Sequence, residues 1–359
     1  MAQLTQIKKP VGNLPRREFL RILGVGAMGV ALARCGLFAA GGSAGLSASG
    51  KRLRGIFPIT QTPFTADDKI NLEDLAAEVK FIDRVRVPGF VWPQVASEWA
   101  TLTEPERMAA MEVIGAEGKK TRPAIVMGVQ GADIAEVRRY VKQAQKTGAD
   151  AIISLPPSET ATPQAIVQYF QEIGKMTELP LFVQAVGNVN VDALVEMFKT
   201  IPTMRYTKDE EGDPLAHFAT LQEKTGGQLK VFSGGHGRTL TDELRLGFSG
   251  SMPVAGLADL YQTTFDLWQE GKIEEAKAMH ARTIPALDIL LDHGMEGMKY
   301  VLFARGVFKT YGARKPKSTG FASAASIVSG GRTTTKPVDA TGRKTLDDMI
   351  LSLKPYFRA

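Results

Sequence analysis

The stretch PAIVMGVQGADIAEVRRYVKQAQKTGADAIISLP, residues 123–156, contains two short apolar runs separated by one amphipathic segment. The runs 123–129 and 150–156 are continuously hydrophobic, which is typical of strands buried on both faces, as parallel strands are. The segment between them places its apolar residues at helical spacing, and Gly148 lies where a glycine commonly ends a helix. The stretch therefore predicts one strand–helix–strand unit.

The same alternation repeats along the chain from residue 55 onward. Six further apolar runs of this kind occupy residues 55–60, 89–94, 179–186, 205–208, 229–235 and 250–255. Each interval between successive runs is long enough for one helix, so every strand is followed by its own crossover segment. Eight such units predict an α/β fold, the (β/α)8 TIM barrel.

Four regions follow one another behind the N-terminal segment. The strand pattern assigns residues 52–260 to the barrel, and further helical stretches assign residues 261–312 to a C-terminal helical appendage. Residues 313–344 are rich in Gly, Ser, Thr and Lys, which is typical of a flexible link. Residues 345–357 carry apolar residues on one helical face, which predicts a terminal helix that docks back onto the protein.

The N-terminal segment contains the pair Arg16 and Arg17, followed by a weakly hydrophobic run over residues 22–33. Together they resemble a twin-arginine export signal, which predicts a leader over residues 1–44. The apolar run is too short for a stable membrane span, since spanning needs about 20 residues. We therefore expect the twin-arginine export machinery as a partner and a periplasmic or exported location.

The formal charge of +6 is concentrated in the leader. Residues 1–44 hold six basic residues and one acidic residue, so the rest of the chain is almost neutral and nucleic-acid binding loses its main support. Cys35 is the only cysteine, which excludes an internal disulfide. Arg34 before it is a poor fit to a lipid-attachment site, so removal with the leader is favoured over a lipid anchor.

Chemistry in a barrel of this kind sits at the C-terminal ends of the strands. Most residues expected there are neutral, whereas Lys208 ends the run at 205–208 with an amine. Desolvation in a partly dry barrel mouth drives an amine towards its neutral, nucleophilic form, which attacks ketones to give a Schiff base. In the alternative interpretation Lys208 emerges into solvent and pairs with acids among residues 209–211. Spacing alone does not separate the two.

Six phrases follow one another along residues 54–312: RGIFPITQTPFTADDKINLEDL, GFVWPQVASEWATLTEPER, PAIVMGVQG, TGADAIISLPP, YTKDEEGD and VFSGGHG with LGFSGSMPVAG. In these phrases and in their order the chain resembles the dihydrodipicolinate synthase and N-acetylneuraminate lyase family. The resemblance implies a class I aldolase chemistry in which Lys208 forms a Schiff base with a 2-keto acid such as pyruvate. It also implies no metal or organic cofactor, and a homo-oligomer, either a dimer or a tetramer.

The chain also departs from the family at several positions. Val95 and Ala96, followed by Ser97, stand where the family has two threonines that seat the substrate carboxylate. The family's proton-relaying tyrosine aligns with Pro157, and its carboxylate-binding arginine with Thr162. We therefore expect the chain not to catalyse dihydrodipicolinate synthesis itself, since making or breaking a C–C bond needs a positioned acid and base.

The sequence thus predicts a Schiff-base lyase or aldolase that cleaves carbon–carbon or carbon–oxygen bonds. The expected site residues besides Lys208 are Val95, Ala96, Ser97 and Met252 for substrate binding, and Ser158, Glu159 or Gln184 for acid–base work. The alternative is a protein on the same barrel that binds a keto acid or sugar acid without turnover. A purely structural role is the third interpretation.

Overall fold

The computed structural model describes residues 49–314, 321, 326 and 329–359. The predicted export signal, residues 1–44, lies outside the described residues, as does part of the predicted link. Within the described ranges, no helix is both long and apolar enough to cross a membrane.

Eight parallel strands form one sheet that curves into a barrel. They are β1 (Gly55–Ile56), β2 (Gly89–Trp92), β3 (Ala124–Gly128), β4 (Ala151–Ser154), β5 (Leu181–Ala185), β6 (Met204–Asp209), β7 (Lys230–Ser233) and β8 (Gly250–Ser251). Each strand pairs with the next along the chain from β2 to β8, and β8 pairs with β1. A parallel bridge between Ile59 and Val91 closes the ring. The prediction of a (β/α)8 barrel is confirmed.

A helix follows each strand, and further helices follow the eighth. They are α1 (Leu72–Arg84), α2 (Glu104–Gly118), α3 (Ile134–Thr147), α4 (Pro163–Gly174), α5 (Val191–Thr200), α6 (Pro214–Thr225), α7 (Leu240–Leu246), α8 (Ala258–Gln269), α9 (Ile273–Asp292), α10 (Gly294–Ala304) and α11 (Ala340–Leu353). The left-handed backbone at Gly271, with φ of 76°, separates α8 from α9.

Side-chain caps explain where most barrel helices begin. The capping oxygens belong to Asn71, Thr103, Asp133, Thr162, Asn190 and Asp213, and each accepts a hydrogen bond from a backbone N–H of the first helical turn. Such caps satisfy N–H groups that have no partner within the helix. They fix the lengths of the loops on the C-terminal face, which carry the site.

The terminal helix begins earlier than predicted. The prediction placed it at residues 345–357, whereas α11 starts at Ala340, because the Asp339 side chain accepts from the Gly342 N–H and caps the helix there. A 3₁₀ turn, Lys354–Tyr356, then follows α11.

The described ends of the predicted link are attached to the rest of the protein. At one end, Arg314 Nη2 lies 2.7 Å from Glu106 Oε1. At the other, Arg332 Nε lies 2.6 Å and Lys336 Nζ 2.7 Å from the two carboxylate oxygens of Asp292. These ion pairs hold both ends of the segment on the barrel body.

A layer of aromatic rings fills the barrel interior. Phe182 stacks on Tyr206 with ring centroids 4.3 Å apart, and Phe232 packs edge-on against Phe57 at 5.3 Å and against Phe182 at 5.4 Å. Tyr206 lies two residues before Lys208 on the same face of β6, so this layer lies beneath Lys208. The barrel is therefore a packed core here, and chemistry is confined to its mouth.

Candidate active site

Lys208 points into the barrel because of the alternation of side chains along β6. Successive strand residues face opposite sides, and its neighbour Asp209 faces outward, where Oδ2 lies 3.4 Å from Nδ1 of His217 on α6. Burial raises the pKa of the Asp209 carboxyl, and nearby His217 opposes that rise. On the inward face of β6, Lys208 follows apolar residues. A polar side chain fits there because this position lies at the floor of the barrel mouth, above the packed interior.

Glu210 shares the inward face with Lys208. Its Oε1 lies 3.1 Å from Lys208 Nζ, and the two side chains are only 3% and 6% exposed. Its Oε2 accepts a hydrogen bond of 2.5 Å from Gln184 Nε2. A Cβ on Gly234 would lie 2.0 Å from Glu210 Oε1, so the glycine makes room for this carboxylate. Sequence reasoning did not select Glu210, although the two-residue strand period places it beside Lys208.

A small cavity surrounds the Lys208 amine. Its volume is about 10 Å³, which is room for about one water molecule. The lining residues are Ile59, Gln94, Val95, Ala96, Gln184, Lys208, Glu210, Gly234, His236 and Met252. Four of the predicted site residues, Val95, Ala96, Gln184 and Met252, are therefore brought together around Lys208. A ligand larger than a water molecule displaces some of these side chains when it binds.

Two amide oxygens in the cavity wall have no hydrogen-bond partner among the described residues. Gln130 donates from Nε2 to the Pro93 carbonyl, so its Oε1 accepts from Gln94 Nε2 at 3.3 Å and leaves Gln94 Oε1 unpaired. Gln184 uses its Nε2 on Glu210, which leaves its own Oε1 unpaired. Buried acceptors without partners are costly, and they fit a ligand that brings hydrogen-bond donors.

The Ser97 hydroxyl is used inside its own loop. Its Oγ donates to the Thr60 carbonyl at 2.5 Å and accepts from the Gln94 N–H at 3.0 Å. Ser97 is fully buried and is not among the residues that line the cavity. The structure therefore uses this hydroxyl for hydrogen bonds that shape the loop, and a contact between Ser97 and a substrate carboxylate stays a prediction.

Ser158 and Glu159 also stand apart from the cavity. They lie beyond the end of β4 at Ser154, and neither lines the space around Lys208. Glu159 packs instead against the loop after β5, where a Cβ on Gly187 would lie 2.7 Å from its backbone oxygen. Of the three predicted acid–base candidates, the structure brings only Gln184 next to Lys208.

An apolar cluster adjoins the cavity at the mouth. Phe321, which is 5% exposed, is buried with Leu155 and Val186, and Val95 and Trp99 pack against them. Val95 belongs to both groups, since it also lines the Lys208 cavity. Phe321 comes from the predicted link, so the segment after the barrel contributes an apolar wall beside the site. No sequence pattern indicated this contact.

Glu98 anchors the loop that carries Val95 and Ala96. It has a left-handed backbone with φ of 58°, and its carboxylate contacts the Lys299 ammonium group and accepts from the Arg314 N–H at 2.7 Å. Burial raises the pKa of Glu98, while the charge of Lys299 opposes that rise. The C-terminal appendage thereby holds this side of the mouth in place.

The charge of Lys299 also acts on a second buried acid. Glu78 accepts hydrogen bonds of 3.0 and 3.1 Å from the Gln61 N–H, and burial raises its pKa well above the usual value despite the charge of Lys299. Lys299 itself is fully buried, and its Nζ lies 4.3 Å from the centre of the Phe64 ring. Burial lowers the pKa of Lys299. Glu98 is therefore in direct contact with this buried ammonium group, whereas Glu78 is affected only by its charge.

Among the described residues, no group of three or more His, Cys, Asp or Glu side chains could hold a metal ion.

Comparison with known proteins agrees with this barrel. The sequence matches the model of the Dihydrodipicolinate synthetase family over residues 52–323. The chain belongs to this family. Members of this family are lyases and aldolases, and a keto acid such as pyruvate is the family's substrate. The match covers all eight strands and the ten helices α1 to α10.

Individual relatives have low sequence identity to this chain, but each match covers most of the relative's length. The chain is 25% identical over 244 residues to a 4-hydroxy-tetrahydrodipicolinate synthase of Methanosarcina mazei, covering 66% of this chain and 82% of that protein. It is 25% identical over 251 residues to an L-2-keto-3-deoxyarabonate dehydratase of Azospirillum brasilense, with 67% and 81% covered. The crystal structure of YagE from E. coli K12 in complex with pyruvate superposes with a TM-score of 0.72 at 18% identity, covering 84% of this chain and 98% of YagE.

Proposed function

We propose that this family member is a Schiff-base-forming lyase or aldolase that acts on a 2-keto acid, with Lys208 as the nucleophile. One observation carries the proposal: a buried amine lies at the C-terminal mouth of the barrel, in the wall of a cavity. An amine so placed reacts with a carbonyl carbon that enters the cavity, and the resulting iminium withdraws electrons from the neighbouring bonds.

Relatives support a keto acid as the substrate class. The Azospirillum brasilense relative is named for a 2-keto acid, and YagE was crystallised with pyruvate. The Azospirillum brasilense relative is named as a dehydratase, so both carbon–oxygen and carbon–carbon bond cleavage fit the proposal. Dihydrodipicolinate synthesis itself is not part of it, because Val95 and Ala96 offer no side-chain hydroxyl to the substrate carboxylate.

The walls of the cavity supply the environment that the reaction needs. Ile59, Val95 and Met252 are apolar side chains that exclude water from the Lys208 amine, and the aromatic layer closes the barrel beneath it. A dry wall strengthens each polar interaction within the site. The unpaired Oε1 atoms of Gln94 and Gln184 are placed to accept from donor groups of the bound molecule.

The second candidate is a keto-acid or sugar-acid binding protein without turnover. The ion pair between Lys208 and Glu210 favours it, because a charged ammonium group is not a nucleophile. Incubation of the wild type and the Lys208→Ala variant with a panel of 2-keto acids separates the two. Turnover that disappears in Lys208→Ala supports the lyase, whereas saturable binding without product in the wild type supports the binding protein.

Export and assembly complete the proposal. The twin-arginine pattern at Arg16 and Arg17 supports an exported or periplasmic protein. The family likeness across the barrel helices supports a homo-oligomer, either a dimer or a tetramer of the 38.9 kDa chain, and light scattering measures its mass.

A further inference from the structure

We propose that Glu210 is the residue that transfers protons during formation of the Lys208 Schiff base. The inference rests on the proposed function, since it assigns an acid–base group to the same reaction. It supplies the proton-transfer group that the resemblance leads us to expect to be missing, because Pro157 stands at the position expected for the family's tyrosine and proline cannot move a proton.

Three contacts fix the Glu210 carboxylate at the reacting amine. Its Oε1 lies 3.1 Å from Lys208 Nζ, within the distance at which a proton passes directly between two groups. Gln184 Nε2 donates to Oε2 at 2.5 Å and orients the group from the other side. Glu210 also donates its backbone N–H to the Ala185 carbonyl at 3.0 Å, which ties the chain to the end of β5. The absence of a side chain at Gly234 leaves space for the carboxylate.

Schiff-base formation moves two protons from nitrogen to oxygen, and one carboxylate can carry both. Glu210 first takes a proton from the Lys208 ammonium group, and the neutral amine forms a bond to the carbonyl carbon. The C–O π electrons move to the oxygen, which receives this proton from Glu210. The carboxylate then removes a second proton from the nitrogen and delivers it to the hydroxyl group. That group leaves as water while the nitrogen lone pair forms the iminium, and Glu210 ends as a carboxylate.

The neighbouring groups do not occupy this position. Asp209 faces the outside of the barrel and contacts His217, and Glu159 packs against the loop at Gly187. Gln184 lines the cavity, but its amide does not exchange protons at this step, so it is a positioning residue for Glu210. His236 also lines the cavity, and the experiment below distinguishes its contribution from that of Glu210.

The test measures how fast pyruvate, and in parallel 2-oxobutanoate, becomes attached to the full chain in the presence of cyanoborohydride. In Glu210→Gln we expect the rate of labelling at Lys208 to fall by about 100-fold or more, the usual contribution of a general acid–base group. The final extent of labelling should stay near that of the wild type, because the nucleophile is retained. The matched control is Glu211→Gln, whose carboxylate lies 3.9 Å from His217 Nε2, and it should label at the wild-type rate.

Glu210→Asp keeps a buried negative charge near Lys208, so this variant guards against the possibility that Glu210→Gln does not fold. It withdraws the carboxylate by one methylene group, so we expect slower labelling with an unchanged final extent. A wild-type rate in either folded variant overturns the assignment and leaves the proposed function standing, with His236 as the next candidate. If the wild-type chain is not labelled at Lys208 by either keto acid, the proposed function fails, and this inference fails with it.

Discussion

Lys208 and Glu210, two residues apart in sequence, form an ion pair of 3.1 Å inside the barrel mouth, and both side chains are almost completely buried. A buried pair of this kind costs desolvation energy that hydrophobic residues of similar size would not cost. The pair lies in a cavity wall beside two unpaired amide oxygens, which is unfavourable for stability and suited to chemistry. Some of the protein's stability is therefore lost at the place where the proposed reaction occurs.

The first prediction concerns Lys299, the buried partner of Glu98. Lys299→Met leaves the buried carboxyl group of Glu98 without the cation that contacts it, so we expect the free energy of unfolding to fall by about 3–5 kcal/mol. Urea denaturation measures the change. Lys309→Met is the matched control, because Lys309 pairs with Glu73 in solvent at 61% and 79% exposure and should matter little. Equal stability of the two variants would contradict the account of the anchored loop.

The second prediction concerns the pH dependence of stability. Burial raises the pKa of Glu243 from 4.5 to about 7, although hydrogen bonds from Ser233 and Thr239 oppose the rise. Because the folded-state pKa lies above the unfolded value, this group favours folding below about pH 4.5, and that contribution is lost as the pH rises through 7. Between pH 5 and pH 8 the wild type should lose about 2.5 kcal/mol relative to Glu243→Gln. If the difference in free energy of unfolding between the wild type and Glu243→Gln is the same at pH 5 and at pH 8, the prediction is wrong.

The third prediction concerns the apolar wall at Phe321. Phe321→Ala removes a ring that is buried against Leu155 and Val186, so we expect more room for the distal part of a substrate. The ratio of the rate at which 2-oxohexanoate labels Lys208 to the rate at which pyruvate labels it, both trapped with cyanoborohydride, should rise by about 10-fold. Phe303→Ala is the control, since Phe303 is 37% exposed in α10 and should leave the ratio unchanged. If the ratio is the same in the wild type, Phe321→Ala and Phe303→Ala, Phe321 does not limit the space available to the substrate.

The fourth prediction concerns the export signal. Replacing both Arg16 and Arg17 with lysine keeps the charge but removes the paired guanidinium groups, so we expect the chain to stay in the cytoplasm. Cell fractionation with antibody detection measures the distribution. Replacing Lys8 and Lys9 with arginine serves as the control and should leave export intact. If the variant with lysine at both positions 16 and 17 accumulates in the periplasm at the wild-type level, the export proposal is wrong.

Strand and helix positions could be predicted from the sequence because each depends on local hydrophobic periodicity. The runs at 123–129 and 150–156, for example, contain β3 and β4. The position of Lys208 at the barrel mouth could also be predicted, because the lysine ends one of these runs and the C-terminal ends of the parallel strands lie at the mouth. Gln184 followed from the same rule applied to a neighbouring strand, whereas Val95 and Ala96 followed from the resemblance to the family.

The remaining features depend on side-chain directions and long-range contacts that one sequence does not display. The sequence contains three acids after Lys208, and only the alternation of faces distinguishes inward Glu210 from outward Asp209. Ser97 has a suitable hydroxyl, but the loop uses it for its own hydrogen bonds. Phe321 lies in a Gly- and Ser-rich segment, where nothing local indicates a contact with Leu155 and Val186, the residues that follow β4 and β5.

Peptide mapping after borohydride reduction tests the central claim most directly. The chain is incubated with pyruvate and other 2-keto acids, reduced and digested, and the masses of its peptides are compared with those of Lys208→Ala. We expect the peptide containing Lys208 to gain the mass of one substrate molecule, less water and plus two hydrogens. The Lys208→Ala variant should carry no such adduct. No adduct at Lys208 with any keto acid of the panel, or equal labelling of Lys208→Ala, would contradict the account.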